Sequence, residues 1–484
     1  MKRIAFFLFA LLLTATTQGQ NLLTLDSCRS MALANNKRLL IGEKEIEKAG
    51  YDNKAAKPNY LPNLKATAAY FRNSRETHLL NNSTRHKLNN LGSSIAQPLA
   101  SVAQIVEKYH PELTDALNEF GNNVIDEFSD VGKKINEGFE TDTRNMFAGA
   151  LTITQPLYMG GKIRAYNEIT DYAKQIAEEK HRGGAQEVVL EVDEAYWRVV
   201  SLANKKKLAE SYVNLLKHLD DDMQKMIKEG VATKANGLTV SVKLNEAEMT
   251  LTKVDNGLTL SRMLLCQLCG MPIESNFTLE DEQKEQLAPV KNNAAFDMNQ
   301  AYVNRPELRS LELATKIYDK KIQIARSEFL PQVVLTGNYM LTNPSVYNGF
   351  EKKFKGMFNV GVMVSAPLFE WGENKYKIRA AKSEAAIAKY ELEEAKEKIE
   401  LQVNQQSFRV KEAEKTLARA RKNCESADEN MKTANAGFKE GVIPTSDLLA
   451  AQTAWVSAHS EVIDAEINAR LTQVYLKKSL GTLE

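Results

Sequence analysis

The sequence is poor in residues that break or staple a chain: its 484 residues hold only 24 Gly, 12 Pro and 4 Cys. So few breakers in a chain that is 26% charged favour long helices over a turn-rich fold. The cysteines do not form a disulfide framework. Cys28 and Cys424 stand alone, and Cys266 and Cys269 form a CxxC inside a helical pattern, with no second Cys or His pair nearby to complete a structural zinc site. A buried small-residue face is the simpler reading of that pair than redox or metal chemistry. The histidines His78, His86, His110, His181, His218 and His459 lie on polar helical stretches without HExxH or a similar ligand spacing, and read as surface residues. An excess of either charge is also missing. Lys+Arg 63 against Asp+Glu 62 argues against a nucleic-acid partner held by bulk electrostatics. There is no GxSxG, phosphate-cradling glycine loop, metal-ligand cluster or paired carboxylate, so neither an enzyme nor a cofactor is expected. Beyond the N-terminus no run of ~18 or more apolar residues occurs, so no transmembrane helix is available. If the protein meets a membrane, it does so by other means.

At the N-terminus stands Met1-Lys2-Arg3, followed by an apolar run over 4–13 that is too short to span a bilayer. With the small residues Thr17 and Gly19 ahead of a cut, residues 1–19 read as a secretory signal peptide and the mature chain as starting near Gln20. No cysteine follows that cut directly, so an N-terminal lipid anchor is not indicated.

The chain then repeats itself. Lys228-Glu229-Gly230-Val231 recurs as Lys439-Glu440-Gly441-Val442, an offset of 211 positions. The same offset carries Phe147 to Phe358, Pro156-Leu157-Tyr158 to Pro367-Leu368-Phe369, Gly161 to Gly372 and Gly270 to Gly481. Earlier in each half, Tyr60-Leu61-Pro62 matches Phe329-Leu330-Pro331 at an offset of 269, which leaves an insertion of 58 residues in the first half. The halves are 20–270 and 300–484, joined by an inter-repeat, equatorial segment over 271–299.

Each half reads as helix, strand, strand, long helix, turn and shorter helix. Residues 30–57 form a helical stretch of ~40 Å stopped by Pro58. The period then changes from helix to strand. Leu64, Ala66, Ala68 and Tyr70 alternate with more polar or small neighbours, as do Val333, Leu335, Gly337 and Tyr339. Their partners set Phe147, Gly149, Leu151 and Ile153 against Thr152 and Thr154, and Val360, Val362 and Val364 against Asn359, Gly361 and Ser365. The strand pairs 64–71/147–155 and 333–341/358–366 are close to the length of tilted membrane strands. Long helices over 162–229 and 373–440, each ~100 Å, lead to return helices over 237–269 and 446–480, the first of them ~50 Å. Val188, Val192, Ala195, Val199 and Leu202 have the four-three spacing of a coiled-coil seam, and Gly183-Gly184 marks a soft point.

Four strands cannot close a barrel or satisfy their edges in lipid, so oligomerisation is required. Three copies give twelve strands, an even number wide enough for a watery lumen, with Thr152, Thr154, Asn359 and Ser365 facing the pore.

These residues resemble a known family. The Ala-rich, Asn-ended helix over 25–36, Leu61-Pro62, Gln155-Pro156-Leu157 and above all the duplicated Gly-Val turns are similar to the TolC-like outer-membrane efflux proteins. The likeness covers nearly the whole mature chain, and its weight lies in the order and duplication of the motifs. It implies a homotrimer with a twelve-stranded β-barrel in outer-membrane lipid and a coiled-coil tunnel in the periplasm. It also implies docking by a periplasmic adaptor (membrane fusion) protein and an inner-membrane transporter of the resistance-nodulation-division or ABC type. By the same resemblance the periplasmic tip and docking turns are Gly230, Val231, Thr233 and Asn236, with Gly441, Val442 and Thr445. Asp447 matches the tip aspartate, and three copies would form a gate ring of carboxylates. Helix capping is the plainer role for that residue. The chain departs from the pattern at Ile443, where a basic residue is common, at Ala450, where a second acid is, and at Asn236, which replaces an acid.

The insertion, 72–146, must emerge on the extracellular side, since the helices run into the periplasm. Leu113, Leu117, Phe120, Val124, Phe128, Val131, Ile135 and Phe139 recur at helical spacing, so it reads as amphipathic helices. The resemblance therefore implies an exit duct of a tripartite export system. The alternative is an exported coiled-coil adaptor or scaffold, which would show one helical hairpin flanking other domains and not two halves with a strand pair each.

Overall fold

The computed structural model describes residues 22–78, 80–109, 111–284, 295–345, 347 and 351–483. The expected leader and the mature start near Gln20 fall outside them, as do residues 285–294 of the inter-repeat segment. In chain order come helices α1 (Leu25–Asn35) and α2 (Lys37–Ala56), strand β1 (Asn63–Arg72), helices α3 (Asn82–Asn89), α4 (Leu91–Tyr109) and α5 (Thr114–Gly138) and strand β2 (Asn145–Met159). Helices α6 (Lys162–Lys228), α7 (Lys234–Cys269), α8 (Met298–Asn304) and α9 (Pro306–Ser327) follow, then strands β3 (Gln332–Asn343) and β4 (Lys355–Ser365) and helices α10 (Glu373–Lys439) and α11 (Thr445–Ser479). Two compact units result: a helical one of residues up to 54, 167–322 and 379–484, and a second of 55–166 and 323–378.

In the helical unit, α6 and α10 each span 67 residues, about 100 Å at 1.5 Å per residue. A helix of that length is stabilised by its neighbours more than by propensity. One core gathers Val188, Val192, Ala195, Tyr196 and Val199 from α6 with Leu258, Leu265 and Cys266 from α7 and Cys28, Ala32 and Leu39 from α1 and α2. A second core joins Ile399, Val403 and Val410 to Ala301, Leu308, Leu476 and Leu480. Helix α6 runs through Gly183 and Gly184 without a break, and a Cβ on Gly183 would sit 3.5 Å from Pro306, so the soft point admits a close neighbour. Among the described residues no helix is long and apolar enough to cross a membrane.

The second unit is built on one antiparallel sheet in the order β1-β2-β3-β4. Its register places Leu64, Ile153, Gly337 and Val360 in one cross-strand row and Lys65, Thr152, Asn338 and Asn359 in the next, on the opposite face. The insertion between β1 and β2 is helical, made of α3, α4 and α5.

Three readings need correction. The stretch 30–57 is not one helix. Helix α1 starts earlier, capped by Thr24 and Ser27, and the chain turns extended at Asn36 (φ −65°, ψ 123°). There the Asn36 side-chain oxygen accepts the Arg38 N–H at 3.0 Å and starts α2 afresh. Strand β2 runs on past 155 to Met159, because a bulge between Pro156 and Tyr158 takes up the proline's missing N–H. Cys28 is not alone: with Cys266 and Cys269 it is fully buried in one core, and the Cys269 Sγ lies 3.6 Å from the Cys28 carbonyl oxygen. A hydrogen bond with Cys269, together with burial, pushes the Cys28 thiol far above its usual range. That is the environment of an inert packing thiol.

Candidate functional site

The two helix reversals at one end of the helical unit are the candidate site. Each long helix ends on a glycine in the left-handed region, Gly230 (φ 79°) and Gly441 (φ 72°). A Cβ at either would meet nothing within 4 Å, so the backbone sign, and not space, demands glycine. Past Gly230 the chain closes with Val231 N–H donating to Met226 O at 2.9 Å and Gly230 N–H to Ile227 O at 3.1 Å. Past Gly441, Val442 N–H donates to Gly437 O at 2.8 Å and Gly441 N–H to Phe438 O at 3.0 Å. Both are helix C-caps of the six-to-one type, which satisfy the last carbonyls of a long helix.

The return helices start differently. Thr233 caps α7, its side-chain oxygen accepting the Asn236 N–H at 3.2 Å; that bond starts α7 at Lys234, three residues before the expected Gly237. Pro444 caps α11 without any side-chain bond. A capping box would need Asp447 to accept an N–H from the cap residue, and proline has none. Asp447 therefore sits exposed in the first turn of α11, touched by the Ser446 hydroxyl at 3.2 Å. Its carboxylate favours the helix dipole but is not consumed by a backbone cap.

The structure brings the two turns together. Val213, Leu216, Leu219, Met223 and Val240 share a core with Ala434, Leu448, Leu449 and Ala451, and Ile227, Ala232, Phe438 and Ile443 pack against it. Ile443, which stands where a basic residue was expected, is thus partly buried apolar packing. Outside that core, Val231 and Val442 are 71% and 78% exposed, one apolar side chain at the crest of each turn. Thr445 is buried, while Thr233 faces solvent.

The reading of the histidines as plain surface residues holds for His86 and His218 but not for His181 and His459, which are half-buried. His181 Nδ1 is enclosed without a hydrogen-bond partner among the described residues. His459 Nε2 lies 2.9 Å from Asp428 Oδ1. That contact, more than the Trp455 N–H also donated to it, holds the Asp428 carboxyl below its usual range. Helix periodicity alone does not reveal such a pair, because its members lie 31 residues apart.

In the second unit one face of β4 is apolar and bare, with Phe358, Val360, Val362 and Val364 exposed by 76, 70, 59 and 64%. On the other face Asn338 donates to Asn359 at 3.1 Å. Lys65 and Asn338 thereby join Thr152 and Asn359 in one polar row, a grouping that strand pairing supplies and single-strand alternation does not. Strands β1 and β4 are both sheet edges.

Comparison with known proteins follows this geometry. A family model described as outer membrane efflux protein matches residues 128–271 and 298–482. The alkaline protease secretion protein AprF of Pseudomonas aeruginosa is 23% identical over 367 residues, 74% of each chain. Among solved structures, the CmeC outer membrane channel of Campylobacter jejuni superposes with a TM-score of 0.73 at 14% identity, covering 95% of this chain and 86% of that one. The MtrE outer membrane channel of Neisseria gonorrhoeae, solved in an open state, gives 0.68 at 17% identity over 95% and 89%.

Proposed function

This chain belongs to the outer membrane efflux protein family, and from that membership we propose that three copies form the exit duct of a tripartite export system, a passive conduit and not an enzyme. The protein resides in the outer membrane with a periplasmic helical tunnel. The observation that carries the proposal is the open sheet. Among the described residues neither edge strand has an outer partner, and β4 shows an uncovered apolar face. Open edges are not viable in lipid. Twelve strands from three chains remove them, turning the Val360 row to lipid and the Lys65, Thr152, Asn338 and Asn359 row to the lumen.

The left-handed glycines 161 and 372, 230 and 441, and 270 and 481 support two halves built on one plan, each delivering a strand pair to the barrel and a hairpin to the tunnel tip. The exposed Val231 and Val442, on glycine-closed turns, offer a periplasmic adaptor an apolar foothold at each crest. The adaptor in turn links the duct to an inner-membrane pump of the resistance-nodulation-division or ABC type. Passive conduction leaves substrate choice to that pump. Extraction separates this reading from a peripheral scaffold: the protein is expected to resist a high-salt wash and to need detergent, and release by salt alone would overturn the barrel.

The insertion supports a cap over the extracellular mouth. Its helices pack through small and polar residues: a Cβ on Gly92 would meet Ile125 O at 2.4 Å, and Asn136 donates to Asn89 at 3.0 Å. That packing leaves Phe120, Phe128, Val131, Ile135 and Phe139 exposed. In the trimer, neighbouring insertions cover this stripe and narrow the mouth. Deleting residues 76–142 is expected to raise dye and antibiotic permeation with the trimer intact; unchanged permeation would leave the insertion without a gating role.

A further inference from the structure

We propose that Cys424, Asp428 and His459 bind one borderline divalent transition-metal ion, Zn2+ in the first place, across the α10–α11 hairpin. One ligand atom from each lies within 4.8 Å of the other two. Bond lengths of 2.0–2.3 Å at a tetrahedral ion require donor separations of about 3.3–3.8 Å, so closure takes on the order of 1 Å of side-chain rotation. Cys424 and Asp428 are one helical turn apart on the same face of α10. His459 reaches them from α11, and Arg421–Glu466 at 2.8 Å helps to fix the register between the two helices.

The imidazole is already oriented. Trp455, one turn before His459, packs tilted against its ring, 4.4 Å between centroids and 48° between planes, and donates its indole N–H to Asp428 Oδ1 at 2.7 Å. This is the supporting hydrogen bond that metal-ligating carboxylates commonly have. Asp428 Oδ2 has no hydrogen-bond partner among the described residues, which leaves it free to coordinate.

A plain helix-to-helix ion pair is the competing explanation, and the other hairpin shows what that looks like. At the positions 211 earlier stand Val213, Lys217 and Glu248, with Lys217 and Glu248 paired at 3.3 Å. Leu244 stands there in place of Trp455. An ion pair thus needs neither the thiol nor the indole, and the second hairpin has both. Sulfur, imidazole and carboxylate together select Zn2+ and its neighbours over Mg2+ or Ca2+, and three protein ligands leave a fourth position open to water. Coordination forms a sulfur–metal bond at Cys424 as the thiol proton leaves to solvent. Asp428 precedes the end of α10 by 11 residues, ~17 Å of helix. A bound ion there would tie the hairpin together just behind its tip.

Titration of the detergent-extracted protein with Zn2+ and, as a spectroscopic probe, Co2+ tests this. One ion per chain is expected, with a thiolate-to-Co2+ charge-transfer band. Cys424→Ser should lose the band and bind at least 100-fold more weakly, His459→Ala should bind comparably weakly, and Trp455→Phe should weaken binding about 10- to 100-fold while keeping the band. No saturable binding, or equal affinity in wild type and Cys424→Ser, would overturn the site. Cys424→Ser is close to isosteric at a half-buried position, so a loss in that variant reports on the ligand and not on folding.

Discussion

Exchanging Arg29 for Met is expected to destabilise the helical unit by about 3–5 kcal/mol, the usual cost of leaving one partner of a buried ion pair alone. Asp193 is fully buried in α6, and the Arg29 guanidinium grips both its oxygens, Nε to Oδ1 at 2.7 Å and a terminal nitrogen to Oδ2 at 2.5 Å. Burial pushes the Asp193 carboxyl above its usual range even with that cation against it, the nearby Asp26 adding to the rise and Lys477 opposing it. The pair is therefore a device for alignment between α1 and α6 more than a net source of stability.

The sign of the pH dependence follows. A carboxyl whose folded pKa lies above its unfolded value favours the fold at low pH, and that contribution is lost as pH rises through the folded pKa. Without Arg29 the folded pKa climbs further. The deficit of the Met variant should then be largest at pH 8 and shrink toward pH 5. Thermal unfolding in detergent across that range measures it, and adding Asp193→Asn to Arg29→Met should restore much of the loss. A deficit that does not change with pH would show that lost packing, and not the stranded carboxylate, is responsible.

Asp447→Asn is expected to relieve block of single-channel current by divalent cations from the periplasmic side by tenfold or more. The carboxylate is exposed and free of a backbone cap, and the proposed trimer would place three of them around one axis. At ~5 Å in bulk water a unit charge pair is worth ~0.8 kcal/mol, and a divalent ion facing three carboxylates gathers about six such terms before screening and desolvation. Tenfold in affinity needs only about 1.4 kcal/mol of that sum. Block that persists at the wild-type concentration in Asp447→Asn would remove the carboxylate ring from the gate and leave the residue its helix-dipole role.

Much of this was readable in the sequence because two periods, two and near 3.6, switch sharply at Pro58 and again after Gly161. Glycines mark both tip reversals and the ends of both return helices by the one property that other residues lack, tolerance of positive φ. What single-strand alternation could not give was the cross-strand row of Lys65, Thr152, Asn338 and Asn359, since register belongs to pairs of strands. The break at Asn36 was hidden because a side-chain oxygen can restart a helix without Gly or Pro. The convergence of Cys28 on Cys269, and of Cys424 on His459, was hidden for the reason that sequence spacing carries no information on helices packing across a core. Asp447 was singled out by resemblance alone. Its freedom from capping came only from seeing Pro444 at the cap position.

The central claim is that three chains enclose a continuous aqueous path. Planar-bilayer conductance of the detergent-extracted protein, with subunit number fixed by mass in the same detergent, tests it most directly. Steady, low-conductance channels from a species of three chains are expected; a soluble or non-conducting species of any other number would contradict the duct.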